Sequence, residues 1–92
     1  QVFLFLIQIK KFLILKSMIN INNKLLKALK NTFPNSRIPK KINNLSVGDL
    51  KEWDSLGNYN LILEVEKIFN YRFDTRVFSE IKSIKDIKKY LK

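Results

Sequence analysis

The sequence predicts an all-α protein, a small bundle of three to four helices with a long loop between helices one and two. Three observations support this fold class. The chain has 92 residues, enough for one domain with a modest core. Hydrophobic residues make up 46% and charged residues 28%, which is typical of a globular chain. Two glycines and two prolines are too few for an all-β domain with many tight turns, and the apolar residues recur at helical spacing.

The first helix is predicted over about residues 22–33, because apolar residues there fall on one face: Leu25, Leu26, Leu29 and Phe33. Asn22 or Asn23 is a suitable N-cap, and Pro34 ends the helix. Residues 34–53 form a long connector with spaced apolar side chains. That spacing favours a loop packed by its own side chains.

Three further segments follow. Residues 55–70 are predicted to form the second helix, whose apolar stripe comprises Leu61, Val65, Ile68 and Phe69. A short turn or helix is expected near residues 75–79. Ser83 and Asp86 resemble a capping box and open a last helix that reaches about Leu91.

Residues 1–17 differ from the rest of the chain. Two apolar runs, 2–9 and 12–15, are separated by Lys10 and Lys11, and each is shorter than the roughly 20 residues that cross a bilayer. We expect an apolar leader at 1–17 outside a domain at 18–92. Met18 is the only methionine, so it is the expected natural start, with 1–17 as translated upstream sequence. A membrane-surface anchor is the alternative for this segment.

The amino-acid composition limits the classes of function that this chain can have. The absence of cysteine and histidine excludes a disulfide framework, zinc fingers, thiol catalysis and Ser-His or Cys-His nucleophile pairs. A binding or carrier module is therefore expected rather than an enzyme. The net charge of +10 suggests a polyanionic partner. However, Lys, Ile and Asn fill 37 of 92 positions, which favours the coding bias of an AT-rich genome as the cause.

Ser55 is the candidate site residue. It lies where the long loop meets the start of the second helix, and a phosphate ester there would lie in the favourable field of the helix N-terminus. No base flanks it, so a role as a hydrolytic nucleophile is not expected. Taken alone, a serine at this position is most simply an N-cap.

The surrounding residues resemble a known family. Asp54-Ser55-Leu56, placed after a long loop and before the helical pattern of residues 61–69, is similar to the Asp-Ser-Leu motif of acyl and peptidyl carrier proteins. The resemblance covers residues 19–92 and implies a bundle of the acyl-carrier type. It also implies that 4′-phosphopantetheine is attached to Ser55, with Asp54 and Leu56 beside it, and carries an acyl or aminoacyl group as a thioester.

The resemblance further implies partners. A phosphopantetheinyl transferase would use coenzyme A and Mg²⁺ to modify the serine, and a loading ligase and downstream acyl-transfer enzymes would follow. The implied partner surface comprises Gly57, Tyr59, Leu63 and Glu66, on a monomer in the cytoplasm.

The chain departs from the family in charge. Carrier proteins of this type are usually acidic, whereas Gly57 and Asn60 stand where acidic residues are common, and Lys67 reverses another. We therefore expect a dedicated set of partners. The alternative is a small basic helical protein that binds nucleic acid or an anionic membrane surface. Against nucleic acid, no predicted helix has the Arg and Asn/Gln face that reads bases.

Overall fold

A computed structural model describes residues 2–91 as an all-helical protein with no strand in that range. Helix α1 is Val2–Thr32, α2 is Ser55–Phe69 and α3 is Ile84–Tyr90, with a 3₁₀ turn at Thr75–Val77. The predicted all-α class and the long loop, which spans residues 33–54, are confirmed. So are the positions of the second helix, the short turn and the last helix, within a residue or two.

The start of the first helix is a correction. The sequence predicts a start near residue 22, but α1 runs unbroken from Val2 through Met18, so residues 2–17 of the predicted leader form the first half of this helix. No proline or glycine interrupts residues 2–31, and the two asparagines proposed as caps lie within the helix.

The first half of α1 is exposed on nearly all sides. Its exposed large apolar side chains are Val2, Phe3, Leu4, Phe5, Leu6, Ile9, Phe12, Leu13, Ile14, Leu15, Met18 and Ile19. Within residues 2–91, no helix is both long and apolar enough to cross a membrane.

The second half of α1 forms the core with the other helices. Leu25 and Leu29 of α1 are buried together with Leu61 and Val65 of α2, and α1 packs along α2. The remaining buried apolar side chains complete one cluster: Ala28, Phe33, Ile42, Trp53, Ile62, Phe73, Ile81, Ile84 and Ile87. The helical stripes predicted from the sequence supply most of this core.

The long loop is packed against the segment that leads into α3. Val47 N–H donates to the Lys82 carbonyl at 2.9 Å, and Ile84 N–H donates to the Leu45 carbonyl at 3.0 Å. Gly48 has a φ of 96°, in a region that favours glycine, and its N–H donates to the Trp53 carbonyl at 2.8 Å. These bonds fix the end of the loop, and therefore the start of α2.

Candidate functional site

Asp54 is the residue that caps α2. Its Oδ1 accepts a hydrogen bond from Gly57 N–H at 2.7 Å, and its carbonyl accepts from Asn58 N–H at 2.8 Å. Asp54 therefore satisfies one of the unpaired amides at the helix start, as N-cap residues do. Ser55 is the first helical residue, so the simple interpretation of Ser55 as the N-cap is wrong.

The Ser55 side chain is exposed to solvent. Among residues 2–91 its hydroxyl has no hydrogen-bond partner. It stands at the amino end of a 15-residue helix, where the peptide dipoles favour negative charge. The hydroxyl can therefore accept a group that another molecule transfers to it.

Gly57 is buried, against the expectation that it lies in the exposed partner surface. A Cβ added at this position would lie 2.2 Å from the backbone oxygen of Glu52 and 3.0 Å from Cε1 of Phe33. Glycine is needed here because the loop backbone passes so close to the helix. This contact explains why no acidic side chain follows the Asp-Ser-Leu motif.

A buried polar bridge lies beneath the motif. Trp53 Nε1 donates to Asn58 Oδ1 at 3.0 Å, and Asn58 Nδ2 donates to the Ile81 carbonyl at 2.7 Å. Trp53 also stacks on Phe33, with ring centroids 5.7 Å apart. These two hydrogen bonds link Trp53 of the loop, Asn58 of α2 and Ile81 of the segment before α3.

Sequence reasoning missed Asn58. The available signal was an asparagine, a poor helix former, inside a predicted helix and five residues after the only tryptophan. This position suggests that Asn58 has a structural role. The sequence does not show that its hydrogen-bond partner is the Ile81 carbonyl.

A groove of about 510 Å³ opens beside Ser55. Tyr59 and Phe78 lie in contact along it, with ring centroids 5.4 Å apart. Its lining residues are Val47, Ser55, Asn58, Tyr59, Ile62, Phe78, Ser79 and Lys82. The groove thus places apolar and aromatic side chains, together with one lysine, next to the candidate serine.

Leu56, Tyr59 and Leu63 form an exposed apolar strip along α2. Their exposed fractions are 70%, 50% and 42%. Spacings of three and four residues place them on one side of the helix, as expected for a partner surface. We call these three residues the α2 strip.

The acidic residues of α2 are engaged within the chain. Glu66, expected in the partner surface, is partly buried, and its Oε2 accepts from Phe73 N–H at 2.8 Å. Glu64 Oε1 accepts from Asn31 Nδ2 at 3.2 Å. None of the exposed residues of α2 is therefore acidic: three belong to the α2 strip, and the others are Ser55, Asn60 and Lys67.

Across residues 2–91, no group of three or more acidic side chains is placed to hold a metal ion. Searches against protein-family models, curated proteins and solved structures found no match to this chain.

Proposed function

We propose that this chain is a carrier protein of the acyl-carrier type, which holds an acyl or aminoacyl group as a thioester on 4′-phosphopantetheine attached to Ser55. One observation carries the proposal. Asp54 supplies the cap of α2, which leaves the Ser55 hydroxyl exposed and without an intramolecular partner at the first residue of the helix. Attachment of a phosphate group at this hydroxyl would therefore break no intramolecular hydrogen bond.

The surroundings of Ser55 fit a phosphodiester and an attached arm. The helix start favours the phosphate charge, and the neighbouring groove offers Tyr59, Ile62 and Phe78 to an apolar chain and Lys82 to an anionic or polar group. When bound, the group supplies a thiol, which this chain lacks because it contains no cysteine.

The chain's own contribution is presentation rather than catalysis. Ser55 Oγ would displace the adenosine bisphosphate portion of coenzyme A, with its proton passing to a base of the phosphopantetheinyl transferase. Asp54 and the Trp53–Asn58 bridge position the serine by fixing the helix start. On this proposal the protein is not itself an enzyme.

The α2 strip is the proposed docking surface for the transferase, a loading ligase and acyl-transfer enzymes. Because Glu64 and Glu66 are turned to intramolecular contacts, we propose partners that present an apolar surface rather than a basic one. The protein would act as a monomer in the cytoplasm.

The test is the intact mass of the full chain after incubation with coenzyme A, Mg²⁺ and a broad-specificity phosphopantetheinyl transferase. Wild type is expected to gain one phosphopantetheinyl group, and Ser55→Ala none. Ser79→Ala is the matched control, since Ser79 is an exposed serine on the same groove, and this variant is expected to be modified like wild type.

Ser55→Ala is expected to unfold at the same urea concentration as wild type, because the hydroxyl makes no intramolecular hydrogen bond. Loss of modification in that variant would then reflect the missing acceptor. No mass gain in wild type, with this transferase and with one from the source organism, would overturn the proposal.

A further inference from the structure

The positive charge of this protein is unevenly distributed along the chain. Residues 1–48 contain nine lysines and arginines and no acidic residue, a net charge of +9. Residues 49–92 contain nine basic and eight acidic residues, a net charge of +1. The excess charge therefore belongs to the half of the chain that includes α1, and not to the half that includes Ser55.

That same half holds the largest exposed apolar surface among the described residues. Between Val2 and Ile19, twelve large apolar side chains are exposed, and Lys10, Lys11 and Lys16 lie among them. An isolated exposed apolar residue is ordinary on a protein surface, but a contiguous surface of this size calls for a partner. The partner must accept apolar side chains and cations together.

We propose that the first half of α1 binds the surface of an anionic lipid bilayer. The apolar side chains of residues 2–9 enter the acyl region of one leaflet, and those of residues 12–19 lie in the interfacial region of the bilayer. Lys10, Lys11 and Lys16 contact headgroup phosphates. Eight helical residues span about 12 Å, less than half of the roughly 30 Å hydrocarbon core. Acyl chains can surround the apolar side chains of this short segment on all sides.

Charge complementarity favours a bilayer over a second copy of this chain. A second copy would bring three more lysines to the contact, and residues 1–48 contain no carboxylate to neutralise them. An anionic bilayer supplies phosphates and an apolar phase in one partner.

The apolar side chains also favour a bilayer over nucleic acid. A phosphate backbone would attract the lysines but would leave residues such as Phe3, Leu4 and Phe5 exposed to water. Only one of the nine basic residues in this half is an arginine, Arg37, although arginine is the side chain best suited to bidentate phosphate contacts.

The membrane-binding segment and Ser55 lie at opposite ends of α1. Phe33 follows the last residue of α1, and its ring lies against Gly57, two residues after Ser55. From Ile9 to Phe33, the helical rise amounts to about 36 Å. The inference is thus independent of the proposed function, since it concerns residues that the carrier motif does not include.

The test is co-sedimentation of the full chain with phosphatidylcholine vesicles, and with vesicles of two parts phosphatidylcholine to one part phosphatidylglycerol. Wild type is expected to bind the anionic vesicles more tightly. In the triple variant Lys10→Gln, Lys11→Gln and Lys16→Gln, the partition coefficient is expected to fall about fivefold for each lysine removed.

The matched control is Lys51→Gln, Lys67→Gln and Lys85→Gln, which removes the same charge from exposed positions in the second half. Its partition coefficient is expected to stay within about twofold of wild type, because charges farther than a Debye length are screened. The variant Phe3→Ser, Phe5→Ser is expected to lose binding to both kinds of vesicle.

Three results would overturn the inference. One is vesicle binding that the α1 lysine variant and the control variant weaken equally. Another is an oligomer in sedimentation velocity that Phe3→Ser, Phe5→Ser dissociates, with no vesicle binding by wild type. The third is salt-dependent binding to DNA or RNA that this phenylalanine variant leaves unchanged, again with no vesicle binding.

Discussion

Gly57 and Asn58 follow the candidate serine and hold the start of α2 in place by different contacts. Gly57 allows the loop backbone at Glu52 to approach the helix, and Asn58 pairs with Trp53 and with the Ile81 carbonyl. Both residues are buried, yet together they determine where the Ser55 hydroxyl lies. The position of the site therefore depends on buried residues that carry none of its chemistry.

Gly57→Ala is expected to destabilise the protein by about 1–3 kcal/mol. The new Cβ would lie 2.2 Å from the Glu52 carbonyl oxygen, and backbone cannot move aside as a flexible side chain can. Urea unfolding followed by Trp53 fluorescence measures the change. Asn60→Ala, at an exposed position of the same helix, is the control and should stay within about 0.5 kcal/mol of wild type. Equal stability of the two variants would contradict the close approach.

Asn58→Leu is expected to cost about 2 kcal/mol, because it leaves the Trp53 indole N–H and the Ile81 carbonyl buried without partners. Combining it with Trp53→Phe should cost less than the sum of the two single variants, since Phe has no N–H to satisfy. The free energies of unfolding of wild type, the two single variants and the double variant are measured by circular dichroism during urea unfolding. Strict additivity would show that Trp53 and Asn58 are not coupled through their hydrogen bond.

At the scale of the elements, the start of α3 carries a pH-dependent contact. The pKa of Asp86 is lowered, mainly by the hydrogen bond that its carboxylate accepts from Lys82 N–H at 3.0 Å. A carboxyl group whose pKa is lowered on folding stabilises the folded state above its unfolded pKa, and this stabilisation is lost as the pH falls through the folded pKa. The loss is therefore expected below the ordinary aspartate value of 3.8.

Asp86→Asn is expected to remove that part of the pH dependence and to cost about 1 kcal/mol at neutral pH. The measurement is the urea midpoint between neutral pH and the acid range. Glu80→Gln is the control: this side chain is exposed and accepts a 3.4 Å hydrogen bond from the Tyr90 hydroxyl, so this variant should keep the wild-type pH profile. Identical profiles for Asp86→Asn and wild type would contradict the prediction.

The sequence predicts the helices and their core residues correctly where a helix is amphipathic, but not where apolar residues lie on all sides of the helix. Leu25, Leu29, Leu61 and Val65 lie in the core because their spacing follows the helical period. Residues 2–19 have apolar side chains on all sides, so no period indicates a helix there, and α1 extends about 20 residues farther than expected. Backbone hydrogen bonding continues through Met18 because nothing in the sequence interrupts it.

The candidate site was predictable only in part for a similar reason. Ser55 could be placed at a helix start because Asp54 and Ser55 both suit such positions. The choice between them depended on geometry, since either side chain can reach an unpaired amide. The burial of Gly57 depends on the path of the Glu52 carbonyl, a contact between a loop and a helix that no local pattern encodes.

At the scale of the whole molecule, α1 separates two chemically different ends. The molecule extends 53 Å along its longest axis. One end carries exposed apolar residues and lysines, while the other carries Ser55, the groove and the α2 strip, in the half with a net charge of +1. A protein attached to a bilayer by the first end would hold Ser55 away from the lipid.

This separation predicts that membrane binding does not block modification of Ser55. With saturating anionic vesicles, the initial rate of phosphopantetheinylation of wild type is expected to stay within about twofold of the rate without vesicles, because about 36 Å of helix lies between Ile9 and Phe33. The variant Phe3→Ser, Phe5→Ser is the control, because it should not bind vesicles. Any change that vesicles cause in its rate of modification therefore reflects an effect of lipid on the transferase. A tenfold slower rate for wild type alone would mean that the body of the protein lies against the bilayer and covers the serine. An unchanged rate would mean that α1 holds Ser55 away from the bilayer and accessible to the transferase.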